Sequence, residues 1–204
     1  MRSSTSLDFV GRCRGCYLPL VRCLCAEVPR IATRTEVLVI RHHKERHKST
    51  NTARLAALAL ERCRLLPYGS PGDDFEPSVL AQPRTWIVFP EAPEPEPDAP
   101  PPERLVVLDG SWAQARRMYQ RIPGLLRLPG IALAPPTPGS RRLRQPPHPY
   151  GMSTLEAIAG ALALLEGEDV ARPLYRLHEM QIDRVLAGRG DGPLAASAAD
   201  DDEE

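Results

Sequence analysis

From residue 35 onward, β-branched apolar runs of strand length alternate with longer helical stretches, and this alternation constrains the fold of the 204-residue chain most. The clearest run is RLVVL at 104–108, which ends in Asp109-Gly110-Ser111. Further strands are expected at 35–41 (TEVLVIR), 63–66, 85–89 (TWIVF) and, more weakly, 130–134 (GIALA). Helices are expected over 52–62, 112–122, from Ser153, and over 173–186. Strands that alternate with helices predict an α/β domain, a mainly parallel sheet with helices on both faces. Ligands of such sheets bind beyond the carboxyl ends of the strands, which directs attention to the loops after Ile40, Phe89, Leu108 and Ala134.

The helix starts carry their own signals. Ser153 and Glu156 have capping-box spacing, in which hydroxyl and carboxylate satisfy each other's orphaned backbone donors. Leu155, Ile158, Ala159 and Leu162 then supply an apolar face, as do Leu174, Leu177, Ile182 and Val185 in the last helix. Thr50-Asn51-Thr52 is expected to cap the helix that follows it. The chain divides into a frayed leader, a cysteine-rich module at 12–30, an α/β domain at 31–188 and an acidic tail at 189–204 expected to be disordered. Inside the domain, EAPEPEPDAPPPE (91–103) alternates proline with acid, cannot form a hydrogen-bond ladder, and should be an extended surface loop.

Charge is deceptive at first sight. The 26 basic and 26 acidic side chains cancel, which argues against a polyanion partner. Yet Glu91, Glu94, Glu96, Asp98 and Glu103 sit in the proline-rich loop, and Asp200, Asp201, Asp202, Glu203 and Glu204 end the chain. Without those ten acids, 16 remain against 26 bases, so the foldable part carries about +10. All but Lys44 and Lys48 of the basic side chains are arginine, which suits bidentate phosphate contacts, although a GC-rich genome gives the same bias. No apolar run approaches a membrane span, and the start lacks a signal-peptide core, so a cytoplasmic protein with reduced cysteines is expected.

Four cysteines, Cys13, Cys16, Cys23 and Cys25, fall within 13 residues and match the ligand count of a structural zinc. Reduced, partly buried thiols are the plain alternative. Cys63, at the end of an apolar helix, is expected to be a small core residue. The run Arg41-His42-His43-Lys44-Glu45-Arg46-His47-Lys48 follows a strand and favours phosphate contact. A solvated loop is the plain alternative; a histidine cluster can also bind metal, but no carboxylate-flanked His spacing here resembles a hydrolytic metal site. A second proline-rich loop, 135–151, is basic instead of acidic, with Arg141, Arg142, Arg144 and His148. Asp109 closes the strongest strand and is followed by Gly110, which allows a sharp turn; its plain reading is a helix cap. The signatures GxSxG, GxxxxGK[ST] and GxGxxG are all absent, so serine hydrolases, P-loop ATPases and ordinary dinucleotide enzymes lack their marks here.

In sequence order, CRGCYLPLVRCLC (13–25), STNTARL (49–55), WIVFPE (86–91), DGSW (109–112), RRLRQP (141–146) and STLEA (153–157) resemble the DTW-domain family, which is similar to bacterial tRNA-uridine aminocarboxypropyltransferases. Ser111 stands where that family usually has Thr; both carry a hydroxyl. The resemblance implies a SPOUT-like α/β fold, in which a knotted cofactor site occurs. It also implies S-adenosylmethionine as donor, transfer of its 3-amino-3-carboxypropyl group to N3 of a uridine in tRNA, and release of methylthioadenosine.

That chemistry assigns roles. A sulfonium activates three carbons, so positioning must align the correct methylene with the attacking nitrogen. Uracil N3 must lose a proton, and Asp109 is the expected base or orienting acceptor, with Ser111 and Trp112 beside it. Trp112 either stacks on a base or packs its helix. The donor is expected against Phe89, Pro90, Asp109, Gly110, Ser153, Thr154, Leu155 and Glu156, with helix amino termini near Thr52 or Ser153 taking its carboxylate. Arg41, His42, Lys44, Arg46, Lys48, Asn51, Arg116, Arg117, Arg141, Arg142 and Arg144 are expected to follow the RNA, whose target uridine should lie in a loop. The competing readings are an S-adenosylmethionine-dependent RNA methyltransferase and a zinc-containing RNA-binding protein without catalysis.

Overall fold

A strand that is apolar on every residue needs cover on both sides, because successive side chains point to opposite faces of the sheet. The computed structural model, which describes residues 11–73, 75–136, 141–143, 148 and 150–190, provides that cover. Five parallel strands run in the order β2-β1-β4-β3-β5: β1 is Glu36–His42, β2 Cys63–Tyr68, β3 Thr85–Val88, β4 Arg104–Asp109 and β5 Gly130–Ile131. Val37, Val39, Leu105 and Val107 belong to one apolar cluster, and Leu38, Ile40, Val106 and Leu108 to another. Helices α1 (Ala53–Ala59), α3 (Thr154–Glu166) and α4 (Glu168–Gly190) contribute to the first cluster; α2 (Trp112–Arg121) contributes to the second. Ile158 of α3 is fully buried against the sheet, and Ile158→Ala should cost about 2–5 kcal/mol. The expected parallel α/β architecture is therefore the one observed.

The strand order places a topological switch at its centre. From β1 the chain crosses through α1 to β2 on one side, whereas from β4 it crosses through α2 to β5 on the other. The two strands lie side by side, with Arg41 in register with Asp109. Their diverging connections leave a crevice at their carboxyl ends, the usual place for a ligand.

Several expected boundaries move for physical reasons. Helix α1 stops at Ala59 because Leu60 turns extended and bridges Ile31, whose N–H bonds Ala59 carbonyl at 2.8 Å. Thr52 does not cap α1 with its hydroxyl; Asn51 Oδ1 accepts from Arg54 N–H at 3.3 Å instead. Strand β2 starts at Cys63 as expected and runs two residues further, to Tyr68; Cys63 packs partly buried on the first cluster, and burial pushes its thiol up to about 12. β5 is only two residues long. Helix α4 starts five residues before Pro173, because Ala171 and Leu174 on either side of the proline are fully buried and offset its missing N–H. It also continues to Gly190, so residues 189 and 190, expected to be disordered, are helical. The rest of the acidic tail lies outside the described residues.

The cysteine segment is not a loose appendage. Cys16, Leu18 and Leu24 are buried in the first cluster, and Arg184 of α4 reaches Glu27 at 2.6 Å. The acidic loop 91–103 forms no regular element and is pinned at both ends. Gly130 N–H donates to Pro93 carbonyl at 2.8 Å, an approach so close that a Cβ on Gly130 would sit 2.2 Å from that of Ala92. At the other end the Arg84 side chain donates to Pro101 carbonyl and to Glu103, the latter at 2.6 Å. Among the described residues no helix is long and apolar enough to cross a membrane.

Candidate active site

The crevice at the switch opens into a cavity of about 290 Å³, close to the lower end for small-molecule sites. Its walls come from the loop after β1 (Glu45, Thr50, Asn51, Thr52), from Phe89 and Pro90 after β3, and from Asp109 to Trp112 after β4. Leu133 beyond β5, Arg142, and the start of α3 (Ser153, Thr154, Glu156) complete it. Phe89, Trp112, Leu133 and Met152 make much of the wall apolar, and two polar side chains, Asn51 and Thr154, converge on one carboxylate.

That carboxylate is Asp109, which is 3% exposed. It does not cap α2, as its plain reading would have it: Ser111 does so in a capping box with Gln114. Asp109 Oδ2 accepts from Asn51 Nδ2 and Oδ1 accepts from Thr154 Oγ1, both at 2.7 Å. Burial pushes its carboxyl up to about 6, while the Thr154 and Asn51 donors and the Arg41 charge pull it back. A carboxyl titrating there passes between acid and base near neutrality, the condition for proton transfer.

The start of α3 is held with equal care. Ser153 and Glu156 form the expected capping box, and Thr52 Oγ1 accepts the Leu155 N–H at 3.1 Å. Leu155 itself is fully buried in the core, which corrects its expected place against the donor. Since the Leu155 and Glu156 N–H groups already have partners, this helix terminus has fewer donors to offer an anion than expected. His178 of α4, unforeseen in the sequence, sits at the cavity wall with Nε2 3.1 Å from Ser153 Oγ. Burial lowers its pKa against the pull of Glu156, so the imidazole is held neutral. Its position four residues after Leu174 on the buried stripe was the available signal. Arg142 donates to Gly151 carbonyl at 2.8 Å and lies 3.5 Å from Glu156.

Rings form a ladder along one side of the cavity. Phe89 stacks on Tyr119 at 4.2 Å and lies parallel to Trp112 at 5.9 Å; Trp112 in turn stacks on His148 at 4.2 Å. Trp112 thus packs and lines the cavity at once.

The basic residues scatter. Arg41 is 8% exposed and Asn51 6%, so neither is on the surface where RNA contact was expected. Arg46 pairs with Asp73 at 2.6 Å, Lys48 with Glu45 at 2.9 Å, and Arg141 with Asp183 at 2.6 Å. Arg116 is exposed, 3.6 Å from Glu91. His42, Lys44 and Arg117 line a second cavity. Arg144 lies outside the described residues.

The sulfurs of Cys13, Cys16, Cys23 and Cys25 all lie within 4.8 Å of one another, with 13–25 at 3.5 Å and 16–23 at 3.8 Å. Tetrahedral zinc with bonds of about 2.3 Å requires sulfurs about 3.8 Å apart, so the set fits. Backbone N–H groups of Gly15 and Cys25 donate to the Cys13 and Cys23 sulfurs, the support thiolates need.

A family model described as the DTW domain matches residues 10–186. The chain is 29% identical over 212 residues to tRNA-uridine aminocarboxypropyltransferase 2 of Drosophila melanogaster, covering 90% of this chain and 84% of that one. It is 27% identical over 207 residues to tRNA-uridine aminocarboxypropyltransferase A of Arabidopsis thaliana, covering 79% and 76%. Among solved structures, the SAM-dependent rRNA:acp-transferase Tsr3 from Vulcanisaeta distributa aligns with a TM-score of 0.49 and 22% identity, over 78% of this chain and 80% of that one.

Proposed function

We propose, on the premise that the chain belongs to the DTW-domain family, that it is a tRNA-uridine aminocarboxypropyltransferase using S-adenosylmethionine as donor. The observation that carries the reading is the buried, hydrogen-bonded Asp109 at the switch-point cavity, in a chain whose relatives bear that activity in their names. The donor, when bound, supplies a methylene carbon activated by its sulfonium. In the transfer the N3–H proton of uracil leaves, the N3–carbon bond forms, and the carbon–sulfur bond breaks with its electron pair returning to sulfur as methylthioadenosine.

Asp109 accepts the N3 proton, or orients the N3–H toward the carbon; Asn51 and Thr154 fix its two oxygens for either task. Phe89, Pro90 and Gly110 border the donor, Trp112 offers a ring face, and Ser111 holds the turn that points Trp112 inward. Apolar walls exclude water, which keeps the sulfonium for the intended nucleophile. Cys13, Cys16, Cys23 and Cys25 would hold a structural zinc that takes no part in the chemistry. Exposed basic side chains bind the tRNA, with the target uridine unstacked from a loop.

Incubating the protein with S-adenosylmethionine and unmodified tRNA, followed by nucleoside mass analysis, should yield aminocarboxypropyl-uridine and methylthioadenosine. S-adenosylhomocysteine as the by-product would indicate a methyltransferase, and tRNA binding with no donor consumption a binding protein alone. Metal analysis of the purified protein should find one zinc per chain, lost in Cys13→Ser.

A further inference from the structure

The geometry points to a second binding site, next to the proposed catalytic cavity, that takes the phosphodiester backbone of the RNA substrate. It is a cavity of about 270 Å³ lined by His42, His43 and Lys44 after β1 and by Gln114, Arg117 and Arg121 on α2. Among the described residues lining it there is no carboxylate. Elsewhere guanidiniums are answered at close range, as in Arg46–Asp73, Arg84–Glu103 and Arg184–Glu27, all at 2.6 Å. Lys44, Arg117 and Arg121 are exposed and have no acidic partner among the described residues. Cations crowded without counterions repel one another, and an incoming anion relieves that repulsion.

The two histidines add directional donors. Lys44 N–H donates to His42 Nδ1 at 3.2 Å, which fixes that nitrogen as acceptor and leaves the proton on Nε2. The His43 ring lies 4.5 Å from that of His42. Gln114, Arg117 and Arg121 recur at i, i+3 and i+7 along one face of α2, with the backbone positions of the two arginines roughly 6 Å apart along the axis. A row of this kind suits successive phosphates of a strand better than a single small anion.

Its placement favours RNA. Gln114 lines this cavity while its Oε1 accepts the Ser111 N–H at 2.8 Å, and Ser111 lines the catalytic cavity. One turn of α2 is therefore the wall between them, and a single polymer can engage both. The site rests on the proposed RNA-directed reaction for its meaning, yet its test does not require turnover.

Binding of a fluorescein-labelled oligouridine, measured between 50 and 200 mM salt, tests it. Arg117→Ala/Arg121→Ala should weaken binding about tenfold at the lower salt and flatten the log–log salt slope by about 1.4, two single-strand phosphate contacts. Lys44→Gln, in the short 3₁₀ turn His43–Glu45 and outside α2, should weaken it by about threefold. Unaltered S-adenosylmethionine affinity and melting midpoint confirm that the variants are folded. Wild-type affinity and salt slope in both variants would overturn the site, as would displacement of the oligonucleotide by micromolar inorganic phosphate, which would mark a small-anion pocket. If the wild type makes no aminocarboxypropyl-uridine while oligouridine binding still depends on Arg117 and Arg121, the enzymatic reading falls and the phosphate row stands; turnover with indifferent variants gives the reverse.

Discussion

The cavity around Asp109 and the cavity around Arg117 share the first turn of α2 and differ in how their charges are answered. In the first, each oxygen of the carboxylate has a donor, the imidazole of His178 contacts a hydroxyl, and Arg142 lies against Glu156. In the second, cations face solvent without acids. Internal pairing fixes geometry and shifts proton affinity, as chemistry requires; unpaired charge leaves attraction to be satisfied from outside, as binding requires. The two sites should therefore fail in different ways.

The sharpest division comes from Asp109→Asn. Turnover should fall by about 10²–10⁴-fold, while oligouridine affinity stays within about twofold of wild type. Equal losses in both measurements would erase the distinction between the cavities. A second consequence concerns stability. The folded carboxyl titrates near 6 against 3.8 in the unfolded chain, so between those values the folded state binds the extra proton. Stability therefore declines as pH rises from about 4 to 7. Measured by urea unfolding, the wild type should lose up to about 3 kcal/mol relative to Asp109→Asn across that window.

The pH dependence of turnover follows with the opposite sign. If ionised Asp109 is the base, kcat/KM should drop about tenfold per pH unit below about 6, and oligouridine affinity should not follow that limb. The mildest test is Thr154→Val, which removes one donor from the carboxylate. The acidic limb should move up by less than about one pH unit, leaving activity at pH 8 within about threefold. A limb that stays in place would mean that another group sets it.

The central strands β1 and β4 were legible because their apolar runs are continuous, and the strongest, 104–108, led directly to the carboxylate at the centre of the site. The Ser153 capping box was legible for a local reason as well, since both partners lie within one turn. What local pattern hides is which distant group answers which. Asn51 reads as a surface polar residue until β4 places Asp109 within 2.7 Å of it, and Thr52 reads as the cap of α1 until α3 arrives to claim its hydroxyl. Arg41 sits in a run that reads as a solvated basic loop, yet as a member of β1 it is buried beside β4. His178 was overlooked because its helix reads as packing alone.

The acidic loop 91–103 has a practical side. Its ends are fastened at Pro93 and Pro101, and the stretch from Glu94 to Pro100 between them includes no residue of either apolar cluster. A span tethered at both ends and free of the core is a natural splice point, where a reporter peptide or a purification epitope can be threaded into the middle of the polypeptide while both faces of the sheet keep their cover.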